Sequence, residues 1–134
     1  GGLKMLKAVK SVSGKIKILG VTTLTSLDNN DLKKIGYSRN LKQVVIKLAK
    51  LAKLTKLDGI ICSPNEAKYL KKICKGMEII TPGIRFKGDS FQDQKRVTSP
   101  KDAFNNGATG IVIGRSITKG NISKNLKNLI SHLS

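Results

Sequence analysis

The pair Gly114-Arg115 ends the apolar run Gly110-Ile111-Val112-Ile113 and leads into Ser116-Ile117-Thr118. A glycine lets a ligand come close to the backbone, and an arginine carries a fixed, planar positive fork matched to phosphate. In a β/α barrel the loops after the last two strands frequently form a phosphate site, and this pair reads as half of one. Taken alone, a strand ending in Gly-Arg is also what a simple turn looks like. Three further stretches strengthen the reading because each follows a β-rich run: Thr25-Ser26, Cys62-Ser63 and Pro82-Gly83-Ile84-Arg85. Ligands of parallel α/β folds sit at such strand ends. Hydroxyls, backbone donors and two arginines suit an anionic, hydrogen-bonding ligand such as a phosphorylated sugar or nucleotide.

Groups that could make or break bonds are missing from those ends. No lysine, carboxylate or histidine closes any of the four β-rich runs. His132 falls near the end of the last helical stretch, where solvent and the helix dipole are its expected partners. Cys62 has no histidine positioned as its base and reads as a buried structural thiol. Asp89 and Asp93 could pair as acid and base, but loop carboxylates are ordinarily just solvated. No catalytic residue is assigned, and neither a metal site nor a cofactor is expected. The chain reads as a binding half without its catalytic half.

The elements that must position the binding residues follow from periodicity. Residues 3–12 place Leu3, Leu6, Val9 and Val12 on one helical face, and Ser13-Gly14 stops them. The β-rich run 17–25 is the first strand, a short helix at 31–35 is capped by Asp28-Asn29-Asn30, and Gly36 ends it. A long helix at about 41–55 carries lysines on its solvated side. Strand 58–63 leads into Ser63-Pro64-Asn65-Glu66, a capping box with proline at the first helical position. Strand 78–81 opens onto the long polar loop 86–98, and loops of that length are usually functional or disordered. A helix begun by Ser99-Pro100 and closed by Gly107, the strand 110–118, and a helix at about 122–133 complete the chain. Strand-helix units repeated in this way demand a parallel sheet with right-handed crossovers. Four strands fit either a small open sheet or half of an eight-stranded barrel.

Composition narrows the class. The 134 residues are expected to form one unit, residues 1–134, with a hydrophobic fraction of 39% that supports a core. No apolar run is long enough to span a membrane, so no membrane partner is expected. The opening Gly-Gly-Leu-Lys-Met lacks the features of a secretory signal, and two cysteines are too few for a disulfide scaffold. Reduced thiols in a cytoplasmic protein are the expectation. The net charge of +18 invites a nucleic-acid reading, but the lysines are scattered along helix faces and aromatic content is only 4%. A dedicated nucleic-acid partner is therefore not expected.

Several segments resemble a known family when taken together. VTTLTS (21–26), DGIICS (58–63), TPGIR (81–85), DQKR (93–96) and IVIGRSIT (111–118) are similar, in order and spacing, to the second half of bacterial orotidine 5′-phosphate decarboxylases. The resemblance covers the whole chain, including the opening Gly-Gly-Leu-Lys-Met. It implies the C-terminal half of a TIM (β/α)8 barrel, four parallel strands alternating with helices, and a complete enzyme that is a homodimer. It also implies cofactor-free conversion of orotidine 5′-phosphate to uridine 5′-phosphate. Carried over by position, Thr25, Arg85, Gln94, Gly114 and Arg115 would bind the nucleotide. Pro82 would lie against the pyrimidine, and Gln94 would close over the phosphate from the long loop. The family's Asp-x-Lys-x-x-Asp array has no counterpart here, and a full barrel takes about 250 residues. A partial chain, inactive alone, is the expectation. Another phosphate-binding barrel acting on a sugar phosphate is the alternative, and a basic nucleic-acid-binding module a more distant one.

Overall fold

A computed structural model describes residues 2–86 and 98–133. In chain order these form α1 (Leu3–Val12), β1 (Leu19–Val21), α2 (Asn29–Lys34), α3 (Leu41–Leu54), β2 (Gly59–Ile61) and α4 (Pro64–Ile73). Then come β3 (Glu78–Thr81), α5 (Pro100–Asn105), β4 (Gly110–Ile111), α6 (Arg115–Thr118) and α7 (Ile122–Leu133). The strands make one parallel sheet in the order β1-β2-β3-β4. Sequential order with a helix between successive strands is the layout of a β/α barrel wall.

Local chemistry explains the helix starts. The Asp28 carboxylate accepts from the backbone of Asn30 and Asp31, and the Asp31 carboxylate accepts in return from Asp28 N–H at 3.0 Å. Asn40 and Gln43 reciprocate in the same way ahead of α3. At α4 Ser63 and Glu66 are placed as the expected capping box. The buried Glu66 carboxylate accepts from Ser63 N–H at 2.9 Å, whereas Glu66 N–H goes to the Ser63 carbonyl and not to its hydroxyl. Proline at the first position of α4 and of α5 costs no hydrogen bond, because that N–H has no helical partner.

Helices α3 and α4 lie on one face of the sheet. Val45, Ala49 and Ala52 of α3, Ala67 and Leu70 of α4, and Ile60 and Ile79 of the strands form the main core. A smaller cluster, Ile84, Ala103 and Ala108, packs with Ile111 and Ile113 under α5. At the N-terminal end of the sheet, Lys10 Nζ reaches Asp58 Oδ2 at 2.7 Å, and Ile18 N–H donates to the same oxygen at 2.8 Å. The Ile18 bond first, then Lys10, hold the Asp58 carboxyl below the usual carboxylate range. Thr109 donates to Glu78 Oε2 at 2.7 Å and, with Lys17, lowers that carboxyl too.

Two strands are shorter than their sequence suggests. The ladder of β1 covers only residues 19–21 of the expected 17–25, since β1 has a single neighbour and β2 matches it over three residues. Strand β4 stops at Ile111 although 110–118 was expected to be extended. Its partner β3 gives out at Thr81 because Pro82 has no N–H to continue the ladder. After a last bond from Val112 N–H to Thr81 O, residues 115–118 wind into the turn α6. The apolar faces expected of α1 and α7 exist, but neither helix contains a fully buried residue.

Candidate functional site

The site is the C-terminal edge of the sheet, where the four strand ends lie side by side. β3 and β4 are neighbours through Ile80 opposite Gly110 and Thr81 opposite Ile111. From that register the chain continues into Pro82–Arg85 after β3 and into Gly114 and Arg115 after β4. Pro82 and Arg85 are half-buried, and Gly83 turns at a φ of +79°, a conformation glycine adopts without strain. Arg85 donates from Nη1 to the Ile84 carbonyl at 2.8 Å, which steadies the guanidinium against its own backbone. Gly114 precedes α6 and accepts from Ile117 and Thr118 N–H, and Arg115 is the first residue of that turn. A Cβ built on Gly114 would meet nothing within 4 Å. The protein's own packing does not demand glycine there; the open space lies beside the arginine.

Thr25 lies at the same end of the sheet, beyond β1, and is buried. It stands on the other side of β2 from the pair of arginines, so the site spans all four strand ends. Gln94 falls outside the described residues, as do Asp89 and Asp93. The ends of that stretch are nevertheless fixed: Arg85 N–H bonds Thr98 O at 3.0 Å, and Thr98 N–H bonds Gly83 O at 3.3 Å. The chain thus leaves and returns at one point, next to Arg85.

Ser63 reads in the sequence both as a strand-end residue and as part of a helix cap. Its hydroxyl is fully buried at the end of β2 and has no hydrogen-bond partner, as is also true of Thr81 at the end of β3. A buried hydroxyl without a partner is costly, and such groups mark strain or a ligand. The signal in the sequence was present: Ser63 closes a strand, and the serine of a proline-initiated helix was free for another use. Cys62 is buried among core residues, as expected of a structural thiol, and burial pushes the Cys74 thiol up. His132 is half-buried near the end of α7. Its ring lies 5.2 Å from that of Phe86, with Nδ1 2.8 Å from Asn128 O. Among the described residues no group of three metal-ligating side chains comes together, and no helix is long and apolar enough to cross a membrane. A shallow hollow of 440 Å³ lies against the outer side of α3, between Arg39, Lys47 and Leu54, away from the strand ends.

Four parallel strands in sequential order, alternating with helices, define one half of a TIM-type β/α barrel. Sequence comparison is equally specific. The chain belongs to the orotidine 5′-phosphate decarboxylase / HUMPS family, whose model matches residues 1–125. It is 52% identical over 122 residues to an orotidine 5′-phosphate decarboxylase of Wolbachia pipientis (strain wPip), covering 89% of this chain and 54% of the relative. To that of the Wolbachia of Brugia malayi it is 49% identical over 133 residues, covering 97% and 59% respectively. Its fold superimposes on the crystal structure of the Lactobacillus acidophilus enzyme with a TM-score of 0.81 at 29% identity, covering 99% of this chain and 59% of the other. The chain therefore spans little more than half the length of the curated relatives it matches.

Proposed function

We propose that this chain is the phosphate- and pyrimidine-holding half of an orotidine 5′-phosphate decarboxylase, the enzyme that releases carbon dioxide from orotidine 5′-phosphate to give uridine 5′-phosphate. The observation that supports the reading is the pairing of β3 with β4, Ile80 opposite Gly110 and Thr81 opposite Ile111, just ahead of Pro82–Arg85 and Gly114–Arg115 in the chain. Arg115 meets the phosphate as a two-pronged donor, and Gly114 leaves room for it. Gln94 closes over the phosphate from the loop anchored at Arg85 and Thr98. Pro82 lies against the pyrimidine, Thr25 contacts the nucleotide, and the partnerless Ser63 hydroxyl meets a polar edge of the ring. The complete enzyme is a cytoplasmic homodimer that works without a cofactor and has no nucleic-acid partner.

The chemistry asks for one thing these residues lack. When the bond to the carboxylate breaks, its electron pair stays on the ring carbon. A positioned ammonium must stabilise that charge and deliver a proton. None of the strand ends 22–26, 62–63, 82–85 or 112–115 carries a lysine. That ammonium and the carboxylates that hold it come from the preceding half of the barrel. The test is calorimetric titration of uridine 5′-phosphate into this chain joined behind the N-terminal half of its Wolbachia pipientis relative. Binding is expected, and Arg115→Ala should weaken it roughly ten- to a hundredfold, the worth of a charge-assisted hydrogen bond. Unchanged affinity in that variant would remove Arg115 from the site.

A further inference from the structure

The side of α7 that meets the rest of the chain is mostly polar. Asn125, Leu129 and His132 are its half-buried residues, and their spacing sets them on one stripe of the helix. At the start of the stripe, Asn125 Nδ2 donates to two carbonyl oxygens, of Ile117 at 2.9 Å and of Lys119 at 2.7 Å. Both belong to the end of α6, the turn that Arg115 opens. The last carbonyls of a helix have no partner within it, so the Asn125 amide supplies bonds that the short turn cannot make for itself. At the other end of the stripe, the His132 ring lies 5.2 Å from the Phe86 ring, the spacing of an aromatic pair. Nδ1 of the same ring is 2.8 Å from the Asn128 carbonyl oxygen, which fixes its orientation. Phe86 directly follows Arg85. Ile84 and Phe86 are buried and Arg85 between them is half-buried, so the anchoring of both neighbours sends the arginine side chain the other way.

We propose that α7 braces both substrate-holding arginines, with Asn125 the positioning residue for Arg115 and His132, acting through Phe86, the positioning residue for Arg85. Neither touches substrate. Asn125 and His132 stand on one face of a single helix, about 10 Å apart along its axis, so one rigid rod joins the two turns. Packing of α7 against α5 and α6 keeps the rod itself in place. A flexible arginine gives up rotamer freedom when it takes hold of a phosphate, and a backbone that is already fixed lowers that cost. The proposal rests on the reading of Arg85 and Arg115 as residues that hold the nucleotide, and it gives the C-terminal helix a part in that binding.

The test is a pair of double-mutant cycles in the chain joined behind the N-terminal half of its Wolbachia pipientis relative, read by calorimetric titration of uridine 5′-phosphate. Asn125→Ala and His132→Ala should each weaken binding several-fold. Both losses should be smaller than those of Arg115→Ala and Arg85→Ala, where a charge-assisted hydrogen bond worth roughly ten- to a hundredfold is removed. The coupling should be selective. The loss from Asn125→Ala should vanish in an Arg115→Ala background and persist in an Arg85→Ala background, and the loss from His132→Ala should do the reverse. His132→Phe, which keeps a ring against Phe86, should retain the parent affinity. A purely structural role would lower the thermal midpoint and weaken binding equally in both arginine backgrounds. That result, or unchanged affinity in both single variants, would overturn the inference and leave the arginines in the site. Unchanged affinity in Arg85→Ala and Arg115→Ala would instead remove the site itself, and the brace with it. Should Asn125→Ala fail to fold, the His132 cycle and its phenylalanine rescue decide alone.

Discussion

At the scale of residues, the candidate site joins groups whose roles in folding and in binding pull apart. Ser63 shows it most clearly. Its hydroxyl is buried and makes no bond, so in the free chain it contributes desolvation cost and no compensating contact. Ser63→Ala should leave the thermal midpoint unchanged or slightly higher, with an effect on folding of no more than about 1 kcal/mol. In the joined, complete barrel the same change should weaken uridine 5′-phosphate binding several-fold or more. Calorimetry and thermal melts on one preparation check both halves of the statement; a lower midpoint with unchanged affinity would make Ser63 a structural residue. The position of the arginines at strand ends was legible from sequence because Gly-Arg and Ile-Arg close β-rich runs. Ser63 was legible as a strand-end residue too, but not as an unused hydroxyl, because serine before proline and ahead of glutamate is also what a helix cap requires. Only the structure shows that the Glu66 N–H turns to a carbonyl and leaves the hydroxyl unused.

At the scale of elements, periodicity located every helix that packs on the sheet, and the strands in the right order. It overran β1 and β4, since strand length is set by what the partner offers. Pro82 cuts short the ladder that β4 would have followed, and nothing within residues 110–118 records it. Packing between strands is close enough to test. A Cβ on Gly59 would lie 2.7 Å from both the Cβ and the carbonyl oxygen of Glu78, and 2.7 Å from Leu19 Cδ2. Gly59→Ala should therefore push β2 away from both neighbours and cost ~1–3 kcal/mol, measurable by urea unfolding. The N-terminal end of the sheet predicts a pH response. Asp58 and Glu78 are both held below the usual carboxylate range in the folded chain, so each stabilises the fold above that range. That contribution is lost as pH falls through it, as the carboxylates protonate. Thermal midpoints should decline between about pH 6 and about pH 3, and Asp58→Asn should flatten the decline. Both groups are partly exposed, so the effect is expected to be modest, and a midpoint that rises on acidification would contradict it.

At the scale of the whole molecule, this chain is proposed to carry the strand ends that bind and to lack the group that reacts. The sequence suggests that division because none of the four strand ends carries a lysine. The central claim is that the chain supplies a substrate-holding half and depends on another half for chemistry. Its most direct test is turnover of orotidine 5′-phosphate, followed by the loss of the orotate absorbance, for two preparations at equal concentration. The 134-residue chain alone should show no rate above buffer, and the chain joined behind the N-terminal half of its Wolbachia pipientis relative should decarboxylate the substrate. Robust turnover by the chain alone, or a folded, joined protein that neither turns over the substrate nor binds uridine 5′-phosphate, would contradict the account.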